Sequence, residues 1–231
     1  MDWPRSADEL IAEQERLAVA RPPRWTSPSE PFSIGGCFVC FPRGKTGEGT
    51  EGDPGWAGAT LISALGRVTT ALATGAAGAR YEAGLLALRE GPLLAAVVRG
   101  LPAAPAVLLV NSTGRDHPRR CGLAFHLGAL LGLPTVGVTH RTLLAEGTWP
   151  EPVRGSRSPL TLEGDPVGYW LTTRRGTRPL AVHAAWRTDP DLALAVVLEA
   201  TAGSARTPEA LRQARRVARE ARAAAAWVGH Q

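Results

Sequence analysis

Cysteine is scarce in this chain, with only Cys37, Cys40 and Cys121 among 231 residues. An odd, thinly spread set excludes the disulfide framework of a small secreted domain and fits a reducing cytoplasm. Long apolar runs are missing as well. No stretch reaches the ~18 apolar residues that a membrane span requires. The N-terminus carries Asp2, Asp8 and Glu9 and no apolar core, so it does not read as a signal peptide. There is no internal repeat and no low-complexity linker. These absences set the expectation of a cytoplasmic protein outside the membrane.

With 44% hydrophobic residues, the chain is long enough for one sizeable core and short for two. Basic residues outnumber acidic ones by 26 to 21, giving a net charge of +5 and a pI near 9.8, which favours polyanionic partners. The surplus is uneven. From Gly203 onward, Arg206, Arg212, Arg215, Arg216, Arg219 and Arg222 face only Glu209 and Glu220, whereas the first 32 residues carry four arginines against six acids.

Apolar periodicity divides the chain into elements. Ser6 to Val19 predicts a leading helix capped by Ser6. A proline-rich stretch, Arg21 to Pro31, separates it from a buried strand over Phe32 to Phe41. After a loop over Arg43 to Gly55, Trp56 to Ile62 and Arg67 to Leu72 complete a three-stranded antiparallel meander. Gly84 to Leu101 switches to helical spacing, with Gly91-Pro92 expected to divide it into two helices. Strand 106–110, helix 120–131 and strand Pro134 to Val138 form a crossover that makes parallel neighbours. Val167 to Thr173 and Pro179 to Ala184 read as a hairpin around Arg174 to Arg178, and Asp191 to Thr201 as a helix. A last helix starts at Thr207-Pro208-Glu209, with a cap residue, an early proline and an early acid. This is the element order of a single RNase H-like α/β domain with a central mixed sheet flanked by helices. Its expected parts are a leading helix and linker over 1–30, the core over 32–140, and a C-terminal hairpin with helices over 141–231.

The densest signature runs from 106 to 138. The apolar strand Ala106 to Val110 stops at Asn111-Ser112-Thr113-Gly114, and Arg115-Asp116-His117-Pro118-Arg119-Arg120 leads into Cys121-Gly122-Leu123-Ala124-Phe125-His126-Leu127-Gly128. Together with Tyr81-Glu82-Ala83-Gly84-Leu85-Leu86-Ala87-Leu88-Arg89-Glu90 and Leu133 to Val138, in this order, it resembles the endonuclease V family, whose members nick nucleic acid next to inosine. The resemblance runs from about Ile34 to the final helix. It implies that Tyr81 is the aromatic of the wedge that parts the strands, although Arg80 and Ala83 stand where the wedge prolines would be. It also implies that His117 to Leu123, with Gly114 and Gly122, shape a pocket for an extruded hypoxanthine. Arg115, Arg119 and Arg120, beside that pocket, are expected to contact phosphates.

The resemblance further implies Mg²⁺-dependent cleavage, which needs hard oxygen ligands. Glu90 retains one of the family's acids. Phe38 stands at the first-strand aspartate and Asn111 at the aspartate ending the neighbouring strand. His140 replaces a lysine, and Trp186 aligns with a histidine. Asparagine offers a neutral carbonyl without charge. Losing the metal forfeits several kcal/mol of charge stabilisation, or roughly three or more orders of magnitude in rate. The expectation is a binder of DNA or RNA carrying a deaminated base, with cleavage lost or strongly reduced. The alternatives are a working nuclease with a rearranged metal site built from Glu90, Asp116 and Asp189, or an interaction module that uses Trp149, Trp170 and Trp186 as apolar surface.

Individual residues have plainer readings. Asp116 is either a substitute ligand or a solvated turn acid, and Glu90 either a site residue or an exposed helix end. Cys37 and Cys40, three apart on a strand, point to opposite faces and read as buried small side chains rather than a metal pair. His126 is expected to be a satisfied helix-face histidine. Tyr81 is a wedge or a half-buried surface tyrosine. The arginines at 212, 215, 216, 219 and 222 make one stripe, which faces phosphate or solvent.

Overall fold

The computed structural model describes residues 3–28, 31–42, 48–202 and 204–228. Residues 43–47 of the expected Arg43 to Gly55 loop therefore lie outside the described residues. Among the described residues, five helices, α1 (Ala7–Ala18), α2 (Leu86–Arg99), α3 (Leu123–Leu131), α4 (Pro190–Glu199) and α5 (Glu209–Val228), flank eight strands. The strands are β1 (Ile34–Cys40), β2 (Pro54–Ile62), β3 (Val68–Ala76), β4 (Val107–Val110), β5 (Thr135–Thr139), β6 (Arg157–Leu162), β7 (Asp165–Leu171) and β8 (Leu180–Ala184). They form one mixed sheet ordered β3-β2-β1-β4-β5-β8-β7-β6, with β4 parallel to β1 and β5 and all other pairs antiparallel. The RNase H-like single domain is thus the observed architecture. No described helix is long and apolar enough to cross a membrane.

Alternation along β4 explains the two layers of core. Leu108 and Val110 pack with α1, α2 and α3 on one face, while Val107 and Leu109 pack with α4 and Leu211 of α5 on the other. A strand buried on both faces reads as a continuous apolar run because it has no solvent side. Helix α5 crosses β1 and β2 at backbone contact. A Cβ on Gly36 would lie 2.5 Å from the Ala210 carbonyl carbon, and one on Gly58 would lie 2.3 Å from the Ala214 oxygen. Glycine under alanine lets the helix sit low enough for its arginines to hang over the end of β1.

Two expectations are corrected. The segment around Gly91-Pro92 is one helix, with Pro92 inside α2. The Gly78 backbone closes onto the helix there: its N–H donates to the Arg89 carbonyl at 3.2 Å, and a Cβ would meet the Leu88 oxygen at 2.2 Å. Leu88 is the residue whose carbonyl a proline at 92 leaves without its helical donor. Strand β6 went unanticipated because Pro159 interrupts its pattern. It is an edge strand, where a missing N–H is tolerated. It pairs with β7 across Glu163 and Gly164, which both have positive φ as a tight hairpin turn demands.

A candidate nucleic-acid interface and the cavity beside it

The loop leaving β4, the turn before α2 and the turn before α3 meet at the C-terminal ends of β1, β4 and β5, where parallel strands place their functional loops. One cavity there, of about 190 Å³, is lined by residues including Tyr81, Gly84, Leu86, Asn111, Ser112, His117, Leu123 and Thr142. Its floor is a closed hydrogen-bond network. The Gly84 carbonyl accepts from Gln14 Nε2 at 3.2 Å, His117 Nε2 at 3.0 Å and Arg119 Nη2 at 2.9 Å, and Arg119 Nε donates to Gln14 Oε1 at 2.7 Å. Because the Arg119 N–H donates to His117 Nδ1, the proton of the neutral ring sits on Nε2. Burial holds that ring neutral by drawing its pKa down to about 4. By contrast, the Asn111 amide nitrogen and the Ser112 hydroxyl make no hydrogen bond among the described residues and remain available to a ligand.

A second cavity, of about 200 Å³, shares Tyr81, Leu86 and Asn111 with the first and adds Cys37, Phe38 and Glu90. Tyr81, 44% exposed, forms the rim common to both. Glu90 is recessed rather than an exposed helix end. Desolvation raises its carboxyl to about 7, which the adjacent Arg89 charge opposes only in part. It makes no hydrogen bond or ion pair among the described residues. Arg89 turns the other way and is fully committed: it pairs with buried Asp53 at 3.0 Å, donates to the Thr50 and Ala79 carbonyls, and stacks 4.1 Å from the Phe41 ring centroid.

The side chain that reaches Asn111 and Phe38, two of the residues lining this cavity, comes from α5 and was missed as an individual in the sequence. Arg215 Nη2 donates to Asn111 Oδ1 at 3.0 Å, and its guanidinium carbon lies 5.1 Å from the Phe38 ring centroid, with that of Arg219 at 5.8 Å. Only the stripe hinted at it. The stripe itself splits: Arg212 pairs with Glu209 and Arg216 with Glu220, while Arg215 and Arg219 have no carboxylate partner among the described residues. His140, exposed just past β5, feels Arg206 and Arg215, which add to burial in lowering its pKa.

These residues do not fit a divalent cation. Phe38 supplies no oxygen. The Asn111 oxygen already accepts from a guanidinium, and Glu90 is a single carboxylate. No group of three or more metal-binding side chains occurs among the described residues. Asp116 is neither a ligand nor a solvated acid. It is fully buried and accepts from the N–H groups of Leu143 at 2.7 Å, Leu144 at 2.8 Å and Ala145 at 2.7 Å. Asp189 caps α4 and pairs with Arg24, away from both cavities.

Further placements differ from expectation. Trp186 follows β8, whose Ala184 pairs with Val136 at the beginning of β5, so it lies at the opposite end of the sheet from Asn111, packed edge-on against Phe125. The expected phosphate arginines are internal clamps. Arg115 stacks 4.6 Å from the Phe125 centroid, and Arg120 donates to the Leu162 carbonyl and to Glu163 and Asp165 at the β6-β7 turn. Gly114 and Gly122 serve close packing: a Cβ on Gly114 would lie 2.1 Å from the Ala184 oxygen, and one on Gly122 would lie 2.5 Å from the Thr113 oxygen. His126 is buried against Trp3 with neither ring nitrogen bonded, rather than satisfied. Of the three tryptophans offered as apolar surface, only Trp149 is exposed, since Trp170 is buried and Trp186 is half-buried. Cys37 and Cys40 are buried on opposite faces as expected. Cys37 lies by Glu90, its thiol pushed well above the usual range by burial and then by that charge, and Cys40 lies against the Ala218 carbonyl.

An RNase H-like sheet with paired cavities at its strand ends defines a class of nucleic-acid enzymes and their relatives. Within that class, the chain matches the family described as Endonuclease V over residues 39–216. It is 39% identical over 163 residues to endonuclease V of Streptomyces coelicolor, an alignment covering 71% of this chain and 70% of the relative. The crystal structure of endonuclease V from Streptomyces avermitilis superposes with a TM-score of 0.84 at 34% identity, covering 97% and 96% of the two chains. That of Ciona intestinalis, solved in complex with DNA containing an inosine followed by a ribo-adenosine, shares the fold at 20% identity and a TM-score of 0.74 over 93% and 98%. The chain belongs to the endonuclease V family.

Proposed function

We propose that this protein binds DNA or RNA carrying a deaminated, inosine-type base and has lost most or all of the family's metal-dependent cleavage. One observation carries the reading: the cavity beside Tyr81 keeps a rigid polar floor and free hydrogen-bonding groups, while the adjoining cavity holds Phe38 and an Asn111 bonded to Arg215. An extruded base is read by hydrogen bonds to its edge and by stacking on an aromatic, and neither requires a metal. Tyr81 is the stacking group at the rim, and Asn111 and Ser112 are the free polar contacts. The Ciona intestinalis relative, with its inosine-containing DNA, supports this ligand class.

The test is a pair of gels on end-labelled single strands of DNA and RNA, each with or without one inosine. Retention in the native gel should favour the inosine strand, and the denaturing gel should show no product in Mg²⁺ or Mn²⁺. A product one bond beyond the lesion, abolished by Glu90→Gln, would overturn the loss of cleavage. Equal retention of all strands would overturn the base reading.

A further inference from the structure

Helix α5 treats its arginines in two ways. Those facing outward, Arg212 and Arg216, are matched by acids one turn away. Those facing the sheet are not. Arg222 donates to the Phe41 carbonyl at 3.1 Å, Arg219 rests over Phe38, and both line a groove of about 640 Å³ with Trp56. Arg215 is the most constrained. Asn111 holds one end of its guanidinium and the Phe38 ring supports its face, while Nε is closed off from solvent with no acceptor and Nη1 has none among the described residues. Burial, Arg219 and Arg206 lower its pKa, yet a guanidinium does not lose its proton in a protein. A fixed positive charge with Nη1 unused therefore sits beside Asn111 and Phe38, the positions where the family resemblance expects metal-binding aspartates.

We infer that Arg215, braced by Asn111 and Phe38 and seconded by Arg219, stands in for the divalent cation and makes this cavity a metal-independent receptor for a phosphodiester group. The inference rests on the nucleic-acid reading above and specifies how that strand is held. A planar fork of N–H donors matches two phosphate oxygens and gives charge-assisted hydrogen bonds. The aromatic ring beside the guanidinium and the Asn111 oxygen at one end hold its orientation, leaving Nη1 as the unpaired donor. A cation at Asn111 would compete with Arg215 for the same oxygen and meet its charge. Metal and guanidinium are therefore alternatives here. The groove along Arg219, Arg222 and Trp56 continues the cationic path for the flanking strand.

Fluorescence anisotropy on a labelled single strand with one inosine tests this, in EDTA and in Mg²⁺, across a salt series. Wild-type affinity should be the same with and without the metal. Arg215→Met should weaken binding about tenfold and flatten the dependence of log affinity on log salt by about 0.7, the value of one phosphate contact on a single strand. Arg215→Lys should recover the salt slope and only part of the affinity, because a lysine is a point charge without the fork. Arg99→Met, remote on α2, should change neither. Binding that needs Mg²⁺, or an Arg215→Met protein with unchanged affinity and slope, overturns the inference and leaves base recognition standing. A wild type that binds no strand sinks the nucleic-acid reading, and a second arm then decides the receptor. The guanidinium Nη resonances of Arg215 in ¹⁵N-arginine-labelled protein should shift and saturate with inorganic phosphate, and no shift overturns it.

Discussion

The two cavities that share Tyr81 and Asn111 differ in how their polar groups are balanced. In the first, Gln14, His117 and Arg119 converge on one carbonyl, and almost every donor in the floor has found an acceptor. In the second, a carboxyl is desolvated without a partner among the described residues, and the two guanidiniums set against its Phe38 have no carboxylate partner there either. The first has the character of a rigid mould and the second of a site waiting for an anion.

Neighbouring residues in α2 offer the sharpest way to break that contrast. Arg89→Ala strips buried Asp53 of its arginine and should destabilise the fold by about 3–5 kcal/mol, read as a lowered urea midpoint. Glu90→Gln should act in the opposite sense. It removes a charge the fold disfavours and should raise the midpoint by on the order of a kcal/mol, most clearly above pH 7 where the native carboxyl is ionised. If Glu90→Gln destabilises, Glu90 has a structural partner and the contrast is wrong.

The pH dependence of stability comes next in size. His117, His126 and His183 are each lowered from 6.5 to about 4, chiefly by burial. Their neutral forms are favoured by folding, so their contribution is intact above pH 6.5 and is lost as pH falls toward 4. Glu90, raised from 4.5 to about 7, works the other way, since its protonated form is favoured and its contribution fades as pH rises through that window. Near pH 5.5 three histidines outweigh one carboxyl. Stability should therefore rise with pH at about 2 kcal/mol per unit, measured by chemical denaturation between pH 4.5 and 6.5. A flat profile would mean the buried rings are hydrated or paired.

Tyr81→Ala tests the shared rim. Loss of one stacking contact should weaken binding of an inosine strand by about 1–3 kcal/mol while leaving the melting temperature within a degree or two. The smallest effect belongs to Arg120→Ala. Its contacts with Glu163 and Asp165 are largely exposed, so those pairs should be worth less than about 1 kcal/mol and strand affinity should not move. A loss of affinity there would restore Arg120 to the phosphate contacts and shift the interface toward the β6-β7 hairpin.

Much of this was legible before any coordinates. Period-two and period-3.6 apolar patterns placed α1, β1, β4, α3, β5 and the final helix within a few residues. They did so because those elements bury a regular face. Strand β6 escaped because an edge strand can keep Pro159, and α2 looked broken because a proline's lost hydrogen bond is visible in sequence whereas the Gly78 contact beside it is not. In the site, Tyr81, Glu90, Asn111, His117 and Leu123, singled out by motif order, line two adjoining cavities. The same order misplaced Trp186 and misread the duties of Arg115, Arg119 and Arg120. An arginine in a polar loop looks the same whether its fork meets a phosphate or a carbonyl of its own chain, and only distance distinguishes the two.

The sequence alone determined the layered mixed sheet and the identity of the family's motifs, because each is local: a periodicity, a spacing, a residue at a strand end. Only the tertiary structure decided which side chain reaches Asn111. Arg215 lies 104 residues from Asn111, on a helix whose depth depends on Gly36 and Gly58 beneath Ala210 and Ala214. A charge brought that far along the chain is a product of packing, and no local pattern encodes where it comes to rest.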